Sequence, residues 1–298
     1  MDPPLCHDVY VFHRPNMARE GFLRVLATLR EHGATLIADY DDLIFGGERL
    51  ALASSAVKNG TLSNKQAIKA FQCNLDGMRQ FDKVTVSTGP LVDRVLEFNP
   101  YAKVLQAPNV IPPSINSIHK AIGTPFLKRP SSTIGYFAGT RSHDKDFPIV
   151  EEAIYRVLCE NPNFSLLVVG PVSMPRGLSM LPNVRIADVV AYQHLPALMS
   201  KCSTVIAPLE HSDFNRCKSR VKFLEAALGG CRLIATPIPD MSSIGTDHLT
   251  LAESMDDWYE ALSKPLDQDA RIDLARQNFN LVQNMVFNKA LKRLAGLS

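Results

Sequence analysis

Residues 204–236 read TVIAPLEHSDFNRCKSRVKFLEAALGGCRLIAT. A short apolar run, Thr204–Ala207, gives way to a polar loop, then to a stretch of helical period over Lys218–Leu228. Two glycines, Gly229 and Gly230, separate it from a second short run, Arg232–Ala235. Val221, Leu224 and Leu228 recur on one helix face, so the helix has a side for a core. Strand, helix, strand in this space is the unit of a parallel sheet, because parallel strands need a crossover between them.

The same rhythm extends in both directions. Upstream, strands are expected at Asp8–Phe12, Ala34–Ala38, Lys83–Ser87 and Lys103–Gln106, with helices over Arg19–His32, Asn64–Gln80 and Gly89–Phe98. Later strands fall at Thr133–Phe137, Ser165–Val169 and Val184–Ile186, with helices near Pro148–Glu160, Leu195–Ser200 and Ala270–Leu297. The fold class is α/β. Between Pro108 and Ser132 stand five prolines and little periodicity, as in an interdomain connection, so domains are expected at 1–127 and 128–298.

Bulk properties narrow the function. The 298 residues exceed one ordinary core, and 46% hydrophobic with 21% charged residues describes a folded enzyme. A net charge of +2, with basic residues dispersed, argues against a nucleic-acid partner. Cys6, Cys73, Cys159, Cys202, Cys217 and Cys231 form no paired spacing, and no metal-ligand cluster is visible, so free thiols and no metal are expected. Neither a leader peptide nor an apolar run of membrane-spanning length is recognisable, which points to a cytoplasmic protein; peripheral membrane contact stays open.

In open α/β sheets ligands bind beyond the carboxyl ends of the strands, so chemistry is sought in those loops. On a helix from Lys218, Lys222 and Glu225 share its face, and lysines near a helix N-terminus call for an anion such as a diphosphate. A solvated face with a Lys222/Glu225 pair is the plainer alternative. Gly139-Thr140, after the strand at Thr133–Phe137, suits close backbone approach to a ligand, and His143, Asp144 and Asp146 follow as sugar contacts or as turn and capping groups. Asp39-Tyr40-Asp41-Asp42 superficially matches a metal-binding DxD pattern; strand-end turn chemistry and a catalytic or acceptor contact are the competing readings. Leu166–Pro171 and Asp188–Tyr192, which includes Val190, offer backbone to a nucleotide base, and His13-Arg14 follows the first strand.

IADYDDLIF (37–45), VLQAPNVI (104–111), IGYFAGTRSHDKDF (134–147) and FNRCKSRVKFLEAALGGCRLIAT (214–236) together resemble glycosyltransferase family four and its relatives in bacterial polysaccharide assembly. The resemblance implies a GT-B fold, two Rossmann-like domains facing each other across a cleft, with the N-terminal one abbreviated and the last helix packing back on it. It implies retaining, metal-independent transfer from a nucleotide-sugar donor to a glycan or lipid-linked acceptor, without a cofactor. Gly139 and Thr140 would lie by the donor phosphates, Lys218 and Lys222 would be their cations, Glu225 would hold the ribose, and Asn215, Ser219 and Val190 would add contacts. His143, Asp41 and Asp42 are the catalytic candidates. Cys217 stands where the family carries the first of two glutamates separated by seven intervening residues, and the first half has room for fewer strand-helix units than such acceptor domains. Those departures keep a non-catalytic binding module and a partner chain supplying early strands in view, with a nucleotide-sugar epimerase as a third reading.

Overall fold

The computed structural model describes residues 6–112, 114, 132–140, 145–264 and 266–285. These residues divide into two compact units: 6–109 with Ser212–Ser219 in the first, and 110–211 with 220–285 in the second. The division expected at residue 127 falls outside the described residues.

The first unit is a four-stranded parallel sheet in sequential order: β1 (Val9–His13), β2 (Thr35–Tyr40), β3 (Lys83–Val86) and β4 (Lys103–Gln106). Right-handed crossovers between neighbours taken in order place every helix on one face. One core results: Leu36, Ala38, Tyr40, Val84 and Val86 from the strands pack on Leu26 and Leu29 of α1 (Phe22–Glu31), Phe71 and Leu75 of α4 (Asn64–Met78), and Leu91 and Val95 of α5 (Gly89–Phe98). Two short helices that the sequence pattern did not reveal, α2 (Glu48–Ala53) and α3 (Ser55–Lys58), precede α4. Six and four residues are too few to display a period.

The second unit is a six-stranded parallel sheet of β5 (Thr133–Phe137), β6 (Ser165–Val169), β7 (Val184–Ala187), β8 (Thr204–Ala207), β9 (Arg232–Ala235) and β10 (Thr250–Leu251), in the order β10-β9-β8-β5-β6-β7. This is the doubly wound order, with its reversal between β5 and β8. Alternate residues feed two cores. Ile134, Leu166, Val168, Ile206 and Ile234 meet α6 (Glu151–Glu160) and Trp258 of α12 (Met255–Ser263). Phe137, Val169, Val205, Leu233 and Ala235 meet Met199 of α8 (Leu195–Met199), Phe223 and Leu224 of α10 (Val221–Leu228), and Val282 of α13 (Gln268–Asn284). A short α7 (Arg176–Ser179) and a short α11 (Pro239–Ser242) lie between strands.

One expectation needs correction. The helix read as Lys218–Leu228 starts only at Val221, as α10, and a separate short helix, α9 (Asp213–Arg216), capped by Ser212 Oγ on the Asn215 N–H, stands before it. The break has a cause 20 residues later. Asp240 Oδ2 accepts the Arg220 N–H at 2.8 Å, and its carboxylate takes the Arg220 guanidinium at 2.5 and 3.1 Å, so the chain is pinned at the start of α10. Phe214 and Cys217 meanwhile enter the core of the first unit. Lys218 therefore does not share a helix face with Lys222 and Glu225.

Candidate functional site

The carboxyl ends of β5, β6 and β7 open onto a cavity of about 270 Å³ in the second unit. Its position follows from topology, since the strand order reverses beside β5 and the connecting segments diverge there. Phe137, Ala138 and Gly139 close it from the end of β5, and Val169 from the end of β6. These two strand ends are drawn tightly together: the Ala138 N–H donates to the Val169 carbonyl at 2.9 Å. Gly170 follows at φ 110°, and a Cβ there would stand 1.8 Å from the Ala138 carbonyl oxygen. Only glycine fits that turn.

The opposite wall is apolar, with Val189, Val190, Tyr192 and Leu195. The polar end comes from α10, where Lys222 Nζ lies 2.7 Å from Glu225 Oε2. Glu225 is 7% exposed, so its carboxylate relies on that ammonium in place of water. Burial, with the Glu225 charge behind it, pushes the Tyr192 phenol up to about 12, so it is a neutral hydroxyl at physiological pH. Because Asp240 fixes Arg220, the first turn of α10 and its two charged groups are held in place. An aromatic-tolerant apolar wall, a glycine bend and a cation in one cavity suit a ligand with a flat ring and an anionic group.

In the first unit the Asp39–Asp42 segment ends β2. Strand register places His13 opposite Asp39 and Asp39 opposite Thr85. His13 Nδ1 lies 2.9 Å from Asp39 Oδ2, and Thr85 Oγ1 donates to Asp39 Oδ1 at 2.7 Å. Arg14 adopts φ 49°, donates its N–H to the Asp39 carbonyl at 2.8 Å and its Nε to Asp41 Oδ1 at 2.7 Å. Burial alone would raise the Asp41 pKa, but the hydrogen bond and charge of Arg14, with His13 nearby, bring it below the usual carboxylate value. Lys218 Nζ sits 3.1 Å from Asp42 Oδ2 and 4.7 Å from the Phe214 ring centre. Each carboxylate of the DxD-like segment thus has a basic partner inside its own unit. Among the described residues, no group of three or more His, Cys, Asp or Glu is placed to hold a metal ion.

Of the donor-binding candidates, Gly139, Val190, Lys222 and Glu225 line the cavity, and Thr140 follows Gly139 as an exposed residue. Asn215, Lys218 and Ser219 belong to the stretch that joins the first unit. There Asn215 is buried, its N–H on Ser212, and Ser219 Oγ accepts from Asn109 Nδ2 at 2.8 Å. Asp41 and Asp42 lie in the first unit's cluster, and His143 lies outside the described residues. Val169 lies in the Leu166–Pro171 segment offered to a nucleotide base; the reading missed Phe137, at the end of β5, and Leu195, at the start of α8, as wall residues, and missed the pairing of His13 with Asp39.

Among the described residues no helix is long and apolar enough to cross a membrane. Residues 131–268 match the family model described as Glycosyl transferases group 1. No curated protein matches the sequence. The fold is similar to that of a TarM mutant from S. aureus in complex with Fondaparinux, alpha-GlcNAc-glycerol and UDP, at TM-score 0.64 and 11% identity over 93% of this chain and 53% of that one. It is similar to the UDP-forming alpha,alpha-trehalose-phosphate synthase from Burkholderia xenovorans in complex with glucose-6-phosphate, at TM-score 0.64 and 11% identity over 96% and 73%. Anabaena HepE in complex with UDP and glucose gives TM-score 0.58 and 14% identity over 97% and 77%. The chain spans about half the length of TarM. The fold is the GT-B fold, and the part of the chain similar to group 1 glycosyl transferases falls within residues 131–268, in line with the resemblance expected from the sequence.

Proposed function

We propose that the chain is a retaining, metal-independent glycosyltransferase that takes a nucleotide-diphosphate sugar in the second unit's cavity and delivers the sugar to a glycan or lipid-linked acceptor. The observation that carries this reading is the cavity at the β5/β8 reversal, which combines the Gly139 bend, an apolar wall and the Lys222–Glu225 pair. UDP in the TarM and HepE complexes supports a nucleoside diphosphate as its occupant.

In this reading the base rests against Val189, Val190 and Tyr192, and Glu225 accepts from ribose hydroxyls. Lys222 turns from Glu225 toward the diphosphate, and the backbone at Gly139 and Thr140 approaches the same group. When the glycosidic bond breaks, the electron pair leaves with the diphosphate, and a nearby ammonium stabilises the charge that develops there. Front-face delivery of the acceptor hydroxyl, its oxygen bonding to the anomeric carbon as its proton passes to the departing phosphate oxygen, then preserves the anomeric configuration.

Thermal unfolding with UDP, GDP, ADP and CDP, each with and without magnesium or manganese, tests the reading through ligand linkage. The expected outcome is a shift by one nucleotide that does not need metal, and Lys222→Ala should weaken that nucleotide by about 1.5–3 kcal/mol. No shift with any nucleotide would leave the non-catalytic binding module, which the buried Cys217 in place of a glutamate favours. The anomeric configuration of the first transfer product, read by NMR, tests retention.

A further inference from the structure

β1 is an edge of the first unit's sheet: among the described residues only β2 pairs with it. The Asp8 carbonyl accepts the Thr35 N–H and the Arg14 N–H donates to the Asp39 carbonyl, each at 2.8 Å, in the register that sets Val9 beside Thr35 and His13 beside Asp39. Backbone direction alternates along a strand, so Tyr10 and Phe12 turn their N–H and C=O groups toward β2, while Val9, Val11 and His13 turn theirs outward. The side chains alternate as well. Tyr10 and Phe12 pack on the core under the helices, and Val9 and Val11, on the other face, are 41% and 54% exposed.

An edge of this kind templates another strand unless something guards it. The sheets' remaining edges are guarded: β4 begins with the exposed Lys103, β7 carries the exposed Arg185, and β10 has only two residues. β1, with the sequence VYVFH, contains neither lysine nor proline, and no bulge interrupts its pairing. It also complements itself. With a two-fold axis through Val11, a second β1 lies antiparallel so that Val11 faces Val11 and Val9 faces His13; these are the residues whose backbone groups point outward, so each pair exchanges both N–H···O=C bonds. Between them Tyr10 faces Phe12, an aromatic pair at the closer, non-hydrogen-bonded spacing, and at each end Asp8 comes beside the basic Arg14. A slip by one residue would turn the bonding groups away from each other, and a slip by two would set Asp8 against Phe12 or Tyr10 against Arg14.

We infer that this edge is the docking surface for a second copy of the chain: the two β1 strands pair antiparallel about Val11, joining the two first-unit sheets into one with the helices on one face and the exposed valines of both copies gathered on the other. The pairing needs neither nucleotide nor any residue of the second unit's cavity, so it stands apart from the transferase reading.

Sedimentation equilibrium of the full chain over a wide range of concentration, without nucleotide, tests this with the wild type, Val11→Lys and Val11→Glu. The wild type should pass from monomer to dimer. Either variant alone, holding two like charges against each other at the axis, should raise the dissociation constant of the dimer at least about tenfold, and an equimolar mixture of the two should recover association. A wild type that stays monomeric, a Val11→Lys chain that dimerises as well as the wild type, or a mixture no better than its components overturns the assignment. A second measurement needs no substitution. Amide exchange followed by NMR should find Tyr10, Phe12 and Arg14 protected at every concentration, and Val9, Val11 and His13 open in dilute protein and gaining protection as concentration rises. Protection already complete in the dilute monomer would show that another part of the chain covers the edge, and open amides in the dimer would place the contact elsewhere; either overturns the pairing.

Discussion

Asp240 is 5% exposed, and its carboxylate is shared between the Arg220 backbone N–H and the Arg220 guanidinium, with Ser243 Oγ completing the guanidinium's partners at 3.0 Å. Removing one member of such a pair strands the other in a site water reaches poorly. Asp240→Ala should therefore cost about 3–5 kcal/mol in urea unfolding, and should weaken the selected nucleotide because α10 loses its anchored start. Asp41 tests a second residue-scale claim through pH. Its folded pKa is lowered, so its contribution is present above the unfolded carboxylate value near ~4 and is lost as pH falls through the folded value. Wild type should lose stability between roughly pH 4 and lower values more steeply than Asp41→Asn; equal slopes would show that the Arg14 pair contributes nothing, which its partial exposure makes the stringent case. The sequence displayed Lys222 and Glu225 three apart on a helix, so their pairing was legible. It could not display His13 opposite Asp39, 26 residues away, because register is a property of the folded sheet.

At the scale of elements, the strands were legible as short apolar runs and the longer helices because their apolar residues repeat at a period of 3.6. The break between α9 and α10 was not, because the group that ends the loop is Asp240, far along the chain. The turn after β6 falls between these cases. The run LLVVGP shows a glycine after a strand, while the need for it lies in Ala138, on another strand. A methyl group at 170 would face both the φ of 110° and a backbone carbonyl at 1.8 Å, so β5 and β6 would have to part at the cavity floor. Gly170→Ala should cost more than about 2 kcal/mol and reduce nucleotide affinity along with stability. Calorimetric unfolding with and without the selected nucleotide checks both; a variant with unaltered stability would show that the two strand ends are free to separate.

Across the whole molecule, the stretch Ser212–Ser219 belongs to the first unit although the chain on both sides of it belongs to the second. Nothing local in the sequence marks that exchange; it rests on contacts with residues more than 100 positions earlier. Phe214 and Cys217 sit in the first unit's core, Thr88 Oγ1 donates to the Cys217 carbonyl at 3.0 Å, and Arg94 and Arg49 reach Asp213 at 3.2 and 3.3 Å. Burial also pushes the Cys217 thiol up to about 11, as expected of a small apolar side chain within a core. This accounts for the cysteine where the family resemblance expected a glutamate: the position packs. If the assignment is right, the stretch should share the stability of the first unit and not that of α10, which begins one residue later at the N-cap Arg220. Leu26, fully buried against the first unit's sheet, provides the lever, since Leu26→Ala should remove about 2–5 kcal/mol from that unit. Native-state hydrogen exchange should then show the amides of residues 213–217 accelerating together with those of β2, while the amides of α10 keep their wild-type protection. Acceleration of α10 instead of residues 213–217 would return the stretch to the second unit, and with it Lys218 to the nucleotide's neighbourhood.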